Sequence, residues 1–94
     1  MRIEVRSILK LREALGGDHF LEVPEGTTVG GLLVKLMETR GEALSPHLFD
    51  PDTNLPLPHV RIMVNGQTIG FLNGLKTILN EGDEVLLLPL VAGG

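Results

Sequence analysis

One apolar stripe constrains the fold of this chain more than any other feature. Five apolar residues recur at positions i, i+3, i+4, i+7 and i+8, the spacing of one face of an α-helix. They are Val29, Leu32, Leu33, Leu36 and Met37. Thr27 and Thr28 are N-cap candidates before the stripe, and Gly41 predicts the end of the helix. A helix with a single apolar stripe has to bury it against another layer, so the rest of the chain is expected to supply a β-sheet.

An N-terminal hairpin is predicted from apolar residues that alternate with charged ones. The alternating apolar positions are Ile3, Val5 and Leu9, and Ser7 interrupts that face. A period of two indicates a half-buried strand. Residues 11–15 suit one helical turn, which Gly16 and Gly17 end. Residues 19–23 form a second strand, and the short separation predicts antiparallel pairing with the first.

Two further strands are predicted in the second half of the chain. Residues 42–59 contain four prolines, which indicates a long surface connection with one helical turn over residues 44–49. Residues 60–64 alternate as a strand closed by Asn65-Gly66, a pair favoured in two-residue turns. Residues 85–88 are continuously apolar, which predicts a central strand buried on both faces.

The order strand, strand, helix, strand, minor pieces, strand is that of the β-grasp arrangement found in ubiquitin-like domains. We therefore predict an α+β fold, with a mixed sheet of four to five strands packed by one main helix. The length of 94 residues allows one domain. We place that domain at residues 1–89, followed by a flexible C-terminal tail at residues 90–94.

The composition excludes several classes of function. The chain has no cysteine, which rules out disulfides, zinc-thiolate sites, thiol catalysis and a persulfide carried on a side chain. A net charge of −4 and only three aromatic residues argue against direct nucleic-acid binding. No apolar run approaches the roughly 20 residues that span a membrane, and the N-terminus lacks a signal-peptide pattern. A cytoplasmic protein is expected.

The C-terminal Gly93-Gly94 pair indicates chemistry at the terminal carboxyl group. Extended, residues 90–94 reach roughly 17 Å, and glycines pass through narrow channels because they lack Cβ atoms. The carboxyl group is ionised at neutral pH and is then a poor electrophile, so it needs activation. The sequence has no phosphate-binding loop for ATP, which assigns activation to another protein. A frayed terminus with harmless glycines is the alternative.

Other candidate sites are weaker. His19, His47 and His59 are widely spaced and lack a paired carboxylate motif, so no metal site is predicted. The glycine-containing segment 26–31 lacks the Lys-Ser/Thr pair of a phosphate loop and is interpreted as a tight strand-to-helix turn. The acidic residues at positions 81, 83 and 84 form either a solvated turn or a docking patch.

The whole chain resembles the MoaD/ThiS family of β-grasp sulfur carriers. The matching pieces are Leu11 to Gly16, Gly26 to Gly30, Val64-Asn65-Gly66, Gly74-Leu75, Gly82-Asp83-Glu84-Val85 and Pro89 to Gly94. Within the family it looks nearest to archaeal-type MoaD and to the carrier of cysteine biosynthesis. Leu88-Pro89-Leu90 replaces the aromatic-Pro-Pro common in molybdopterin-synthase small subunits, and the Asp-Pro-rich loop 49–52 favours the cysteine-biosynthesis branch.

The resemblance implies a function and the residues that serve it. An E1-like adenylyltransferase of the MoeB/ThiF type would adenylate Gly94 with ATP and Mg²⁺, and a sulfur donor would convert it to a thiocarboxylate. A synthase, either cysteine synthase or the molybdopterin-synthase large subunit, would receive the sulfide. The tail-threading residues would be Leu90, Val91, Ala92 and Gly93. Asp83, Glu84 and Pro89 would contact partner proteins, and the chain itself would be neither an enzyme nor a binder of metal or cofactor.

Three hypotheses stay open at this point. The first is a sulfur carrier in small-molecule biosynthesis. The second is a ubiquitin-like modifier or tRNA-thiolation carrier that uses the same activated tail. The third is a β-grasp interaction domain without a reactive terminus. The tail separates the third from the others, since removal of Gly94 abolishes function only if the C-terminus reacts.

Overall fold

The chain folds into one mixed sheet with two helices on one side. The computed structural model describes residues 1–53 and 55–89, so the predictions for residues 90–94 lie outside the described residues. The strands are β1 (Arg2–Ser7), β2 (His19–Glu22), β3 (Val60–Val64), β4 (Gln67–Thr68) and β5 (Glu84–Pro89). The helices are α1 (Leu9–Leu15) and α2 (Val29–Leu48), and short 3₁₀ turns cover Ile69–Phe71 and Gly74–Lys76.

The last strand occupies the centre of the sheet. The strand order is β2-β1-β5-β3-β4. β1 pairs with β2 antiparallel and with β5 parallel, whereas β3 runs antiparallel to both β5 and β4. The five-stranded mixed sheet and the antiparallel N-terminal hairpin confirm the α+β, β-grasp prediction.

The predicted stripe of α2 packs on one face of this sheet. Four of its five members are at most 2% exposed, and Met37 packs against the same core while partly buried. The sheet contributes the alternate residues of three strands to that core: Ile3, Val5, Val60, Ile62, Val64, Val85 and Leu87. The Thr28 hydroxyl accepts a hydrogen bond from the Gly31 N–H at 3.1 Å, which confirms Thr28 as the N-cap.

The predicted end of α2 at Gly41 is wrong, because the helix continues to Leu48 through Gly41 and Pro46. Leu44 and Leu48 extend the apolar stripe and are completely buried. Burying one leucine stabilises by roughly 1.5–3 kcal/mol, whereas a helical Gly costs about 1 and an interior Pro about 3 kcal/mol. The burial of Leu44 and Leu48 therefore offsets the helical costs of Gly41 and Pro46. The surface connection is correspondingly shorter than predicted and starts at Phe49.

Two smaller predictions also need correction. β1 ends at Ser7, which is buried on the same face as Ile3 and Val5, and Leu9 begins α1 instead of extending the strand. β5 is central but not buried on both faces, since Leu86 and Leu88 are only half-buried. The reason is that both helices contribute to the core on the same face of the sheet, so side chains on the other face of β5 have only their strand neighbours for cover.

No helix within residues 1–53 and 55–89 is long and apolar enough to cross a membrane.

Candidate functional site

Strand β5 places the origin of the C-terminal tail in the middle of the sheet. Pro89, opposite Val60 of β3, is the last described residue. β5 is held by β1 on one side as far as Leu87 and by β3 on the other side as far as Pro89. The tail therefore starts from a strand paired on both sides, at the end of the sheet where β1 ends and β3 begins. Leu90, Val91, Ala92, Gly93 and Gly94, the residues predicted to thread and react, lie outside the described residues.

The face of the sheet opposite α2 carries an apolar row beside that origin. Side chains alternate along β5, so Leu86 and Leu88 point to the face that the helices leave open. Met63 of β3 lies opposite Leu86 and is also half-buried. We call Leu86, Leu88 and Met63 the open-face row. The sequence reasoning missed it, although Met63, an apolar residue on the Arg61 side of the alternation in residues 60–64, is a sequence signal for it.

Charged residues border the open-face row. The Arg6 guanidinium lies 3.4 Å from a Glu84 carboxylate oxygen and 3.5 Å from an Asp18 oxygen. Arg12 contacts the same Asp18 at 3.0 Å. The hydrogen bond to Glu84, followed by the attraction of Asp18, raises the pKa of Arg6 above its ordinary value. All four groups are partly solvent-exposed, so the pairs orient side chains more than they stabilise the fold.

The predicted docking residues do not form one cluster. Glu84 begins β5 and Pro89 ends it, roughly 17 Å away at about 3.3 Å per residue, and Asp83 directly precedes the strand. The Asp83 carboxylate accepts from the Asn65 side-chain amide at 2.8 Å and from the Asn80 N–H at 2.7 Å. It therefore holds the β4–β5 connection against the Asn65-Gly66 turn. Glu84 points to the open face, in ion-pair distance of Arg6.

The remaining candidate sites have structural roles. The Glu81 carboxylate accepts a hydrogen bond from the Arg2 N–H at 2.7 Å. Segment 26–31 makes a tight turn in which Gly26 has a φ of 84°, as the sequence predicts. A ring nitrogen of His19 contacts the Leu15 carbonyl at the end of α1. Within the described part of the chain, no group of three or more His, Asp or Glu side chains is placed to hold a metal ion.

Comparisons with known proteins agree with this architecture. The sequence profile of the ThiS family matches residues 8–94. Small archaeal modifier protein 3 of Haloferax volcanii is 34% identical over 95 residues, with both chains completely covered. Sulfur carrier protein CysO of Mycobacterium tuberculosis is 35% identical over 95 residues, again with complete coverage of both chains.

A solved structure shows the same fold. The crystal structure of SAMP1 from Haloferax volcanii superposes with a TM-score of 0.85 at 27% identity and covers all of both chains. The agreement in fold, the match to the family profile and the full-length similarity to these relatives lead to one conclusion. The chain belongs to the ThiS family of small ubiquitin-like proteins.

Proposed function

We propose that this chain is a ubiquitin-like sulfur carrier whose reactive group is the Gly94 carboxylate. One observation carries the proposal: the sequence ends in Gly-Gly three residues after the central strand of a ThiS-family fold, so that a reactive terminus would start from a strand paired on both sides. The full-length similarity to a sulfur carrier protein supports the same assignment. The chain acts as a co-substrate, and its partner enzymes perform the catalysis.

The proposed chemistry has two steps. First, a Gly94 carboxylate oxygen attacks the α-phosphorus of ATP in an E1-like adenylyltransferase of the MoeB/ThiF type. Pyrophosphate leaves with Mg²⁺ as its counter-ion, and an acyl-adenylate forms. Second, the sulfur of hydrosulfide attacks the carbonyl carbon, AMP leaves and the sulfur loses its proton to solvent, which produces the thiocarboxylate. A partner synthase then takes the sulfur. No side chain of this protein has to donate or accept a proton in either step.

The open-face row is the proposed docking surface for these partners. Leu86 and Leu88 belong to the strand that continues into the tail, so a partner that contacts them holds the tail at a fixed distance. Glu84 and Arg6 border the row and would orient the partner by charge. Pro89, which has no backbone N–H, would end the paired strand where the tail enters the partner. Asp83 would act mainly by holding the Asn65-Gly66 turn against the start of β5.

We prefer a cysteine synthase as the acceptor of the sulfur. The alternative acceptor is the large subunit of a molybdopterin synthase. The relative CysO supports the first. A role as a protein modifier or tRNA-thiolation carrier is the second candidate function. It is favoured by the equally long match to small archaeal modifier protein 3, at 34% identity. Both functions use the same adenylate, so they diverge only at the acceptor: a sulfur-accepting synthase in the first, and a lysine amine or a tRNA base in the second.

Intact-mass spectrometry tests the reactive terminus. The chain is incubated with ATP, Mg²⁺, a cognate E1-like enzyme and sulfide. We expect a mass increase equal to the replacement of one oxygen by sulfur, located in the C-terminal peptide. A chain that ends at Gly93 should show no increase. If the full chain also fails to gain mass with its cognate enzyme, or if the shortened chain gains it equally, the proposal is wrong.

A pair of matched variants tests the docking surface. Leu86→Gln should slow thiocarboxylate formation at limiting chain concentration, because it replaces an apolar contact of the open-face row. Val34→Gln is the control, since Val34 is 58% exposed on α2, which packs on the other face. Equal rates for both folded variants would remove the open-face row from the proposal and leave the tail chemistry intact.

A further inference from the structure

An open groove lies at the outer edge of β3, on the side of that strand that faces away from β5. Its volume is about 570 Å³, within the range of roughly 300–1,000 Å³ typical of ligand sites. Four segments line it: residues 55–58, residues 60–62 of β3, residues 68–70 and residues 74–75. Most of these residues are apolar, and Arg61 is the one charged residue among them. We call this the β3-edge groove.

The groove exists because β4 is too short to cover β3. The register pairs Val64 with Gln67 and Met63 with Thr68, and it stops there. β3 itself continues back to Val60. The chain that would have extended β4 instead turns into the 3₁₀ segment Ile69–Phe71. Residues 60–62 therefore have no strand beside their outer edge within the described part of the chain.

The backbone groups at this edge point into the groove. The Asn65 N–H donates to the Glu84 carbonyl at 2.9 Å. In an antiparallel pair, the backbone groups of successive residues point alternately toward and away from the partner strand. Because those of Asn65 point toward β5, those of Met63 and Arg61 do so too. The backbone groups of Val60 and Ile62 therefore point away from β5. Among the backbone hydrogen bonds described outside the strand pairs, one involves Val60 or Ile62: the Val60 N–H donates to the Leu57 carbonyl at 3.0 Å. Because the ladder with β4 stops at Met63 and Thr68, the Ile62 N–H and the Val60 carbonyl remain for another strand within the described part of the chain.

Side-chain alternation sets what such a strand should contain. Val60 and Ile62 point to the core side, where Leu57, Ile69 and Leu75 are partly buried against the core. Arg61 points to the opposite face, and its guanidinium makes no ion pair with any described side chain. A strand beside β3 would thus place apolar side chains on the core side and, between them, a carboxylate opposite Arg61.

We propose that the β3-edge groove binds an extended segment of a partner protein with the pattern apolar-acidic-apolar. The segment adds to the sheet as a sixth strand beside β3. Main-chain hydrogen bonds to residues 60 and 62 provide the affinity, and the groove and Arg61 select the side chains. The site lies across β3 from β5 and needs no residue of the tail. A bound segment would therefore keep this protein attached to its partner while the C-terminus reacts at another place.

NMR titration of the full-length chain with synthetic peptides tests the proposal. The probe is acetyl-Ser-Thr-Val-Glu-Val-Thr-Ser-amide, and its charge-swapped counterpart carries Val-Lys-Val. We expect the Val-Glu-Val peptide to shift the amide signals of Ile62 and Gly70 and to leave that of Leu86 unchanged. Arg61→Glu should weaken its binding about fivefold and strengthen the Val-Lys-Val peptide by a similar factor. Shifts confined to other surfaces, or no exchange of preference in the Arg61→Glu chain, would overturn the proposal.

A second pair of variants tests the groove without changing charge. Gly70 lines the groove, and a Cβ added there meets its nearest neighbour, a Thr68 methyl group, at 4.0 Å. Gly70→Ala should therefore bind the peptide normally, whereas Gly70→Trp should fill the groove and reduce binding at least tenfold. Both should still accept sulfur at Gly94, which separates failure of this inference from failure of the proposed function. Equal peptide affinity in both folded variants would refute the groove as the site.

Two other occupants of the groove, the protein's own C-terminal segment and a second copy of the chain, are tested by truncation and by sedimentation. If the protein's own C-terminal segment fills it, a chain that ends at Pro89 will bind the peptide more tightly than the full chain. If a second copy fills it, sedimentation will show a dimer that Gly70→Trp dissociates. Either result overturns the proposal, whereas a monomer with unchanged affinity on shortening supports it.

Discussion

Replacing Asn65 should destabilise the domain more than an exposed turn residue normally would. Asn65 has a φ of 50°, in the left-handed region that few residues adopt without strain. Its side-chain amide donates to the Asp83 carboxylate at 2.8 Å, and its side-chain oxygen accepts from the Glu84 N–H at 2.9 Å. One residue thus joins the β3–β4 turn to the start of the central strand.

The expected size of the effect follows from these three contributions. Each hydrogen bond contributes about 0.5–1.5 kcal/mol, and we take the lower half of that range because both are exposed. A non-glycine residue in the left-handed conformation costs about 1–2 kcal/mol, which Asn tolerates better than Ala. Asn65→Ala should therefore lower the free energy of unfolding by about 2–3 kcal/mol, which corresponds to a Tm decrease of roughly 10–20 °C for a domain of this size.

Asn65→Gly separates the two kinds of contribution. Glycine adopts the left-handed conformation without strain, so this variant should lose only the hydrogen bonds and about 1–2 kcal/mol. Urea unfolding followed by far-UV circular dichroism measures both variants. A double-mutant cycle with Asp83→Ala should give a coupling free energy of about 0.5–1 kcal/mol. If Asn65→Ala and Asn65→Gly are equally stable, or if the coupling is zero, the reasoning about this turn is wrong.

Three further substitutions should change stability in predictable directions, as measured by the same urea assay. Ser7→Ala should stabilise by about 1 kcal/mol, because the buried Ser7 hydroxyl has no hydrogen-bond partner in the described structure; a loss of stability would mean that the hydroxyl is satisfied. Gly41→Ala should add about 0.5–1 kcal/mol, since its Cβ would meet the Met37 methyl at 3.8 Å inside α2; destabilisation would indicate that α2 ends near Gly41. Leu87→Ala should cost about 3–4 kcal/mol because Leu87 is completely buried, whereas Val34→Ala on the exposed face of α2 should stay within about 0.5 kcal/mol.

The elements of the fold were predictable where a periodic pattern has one physical solution. The stripe of α2 and the alternation of β1 and β3 each bury one face, and both led to correct elements. The turn at Asn65-Gly66 was equally clear, because this pair suits the left-handed conformations that a two-residue hairpin needs. The central position of the last strand followed from its continuous apolar run, whereas its pairing with the third strand is seen only in the structure.

The length of α2 and the environment of β5 were not predictable in this way. Local propensity indicated a break at Gly41, but Leu44 and Leu48 bury against residues that are distant in sequence, and their burial outweighs the local cost. The continuous apolar run in β5 is compatible with a strand that is buried on one face of the sheet and with one that is buried on both faces. Only the placement of both helices on the same side shows that Leu86 and Leu88 face outward.

The chemistry proposed for this protein is largely a matter of its sequence. A terminal Gly-Gly and the lack of cysteine concern covalent groups, which do not depend on folding. The proposed docking surfaces are instead created by the tertiary structure. The open-face row joins side chains of two strands, and the β3-edge groove joins four segments between residues 55 and 75 around an edge that β4 leaves uncovered. A reactive group can be recognised in a few consecutive residues, whereas a docking surface is created only when strands and turns from separate parts of the chain pack side by side.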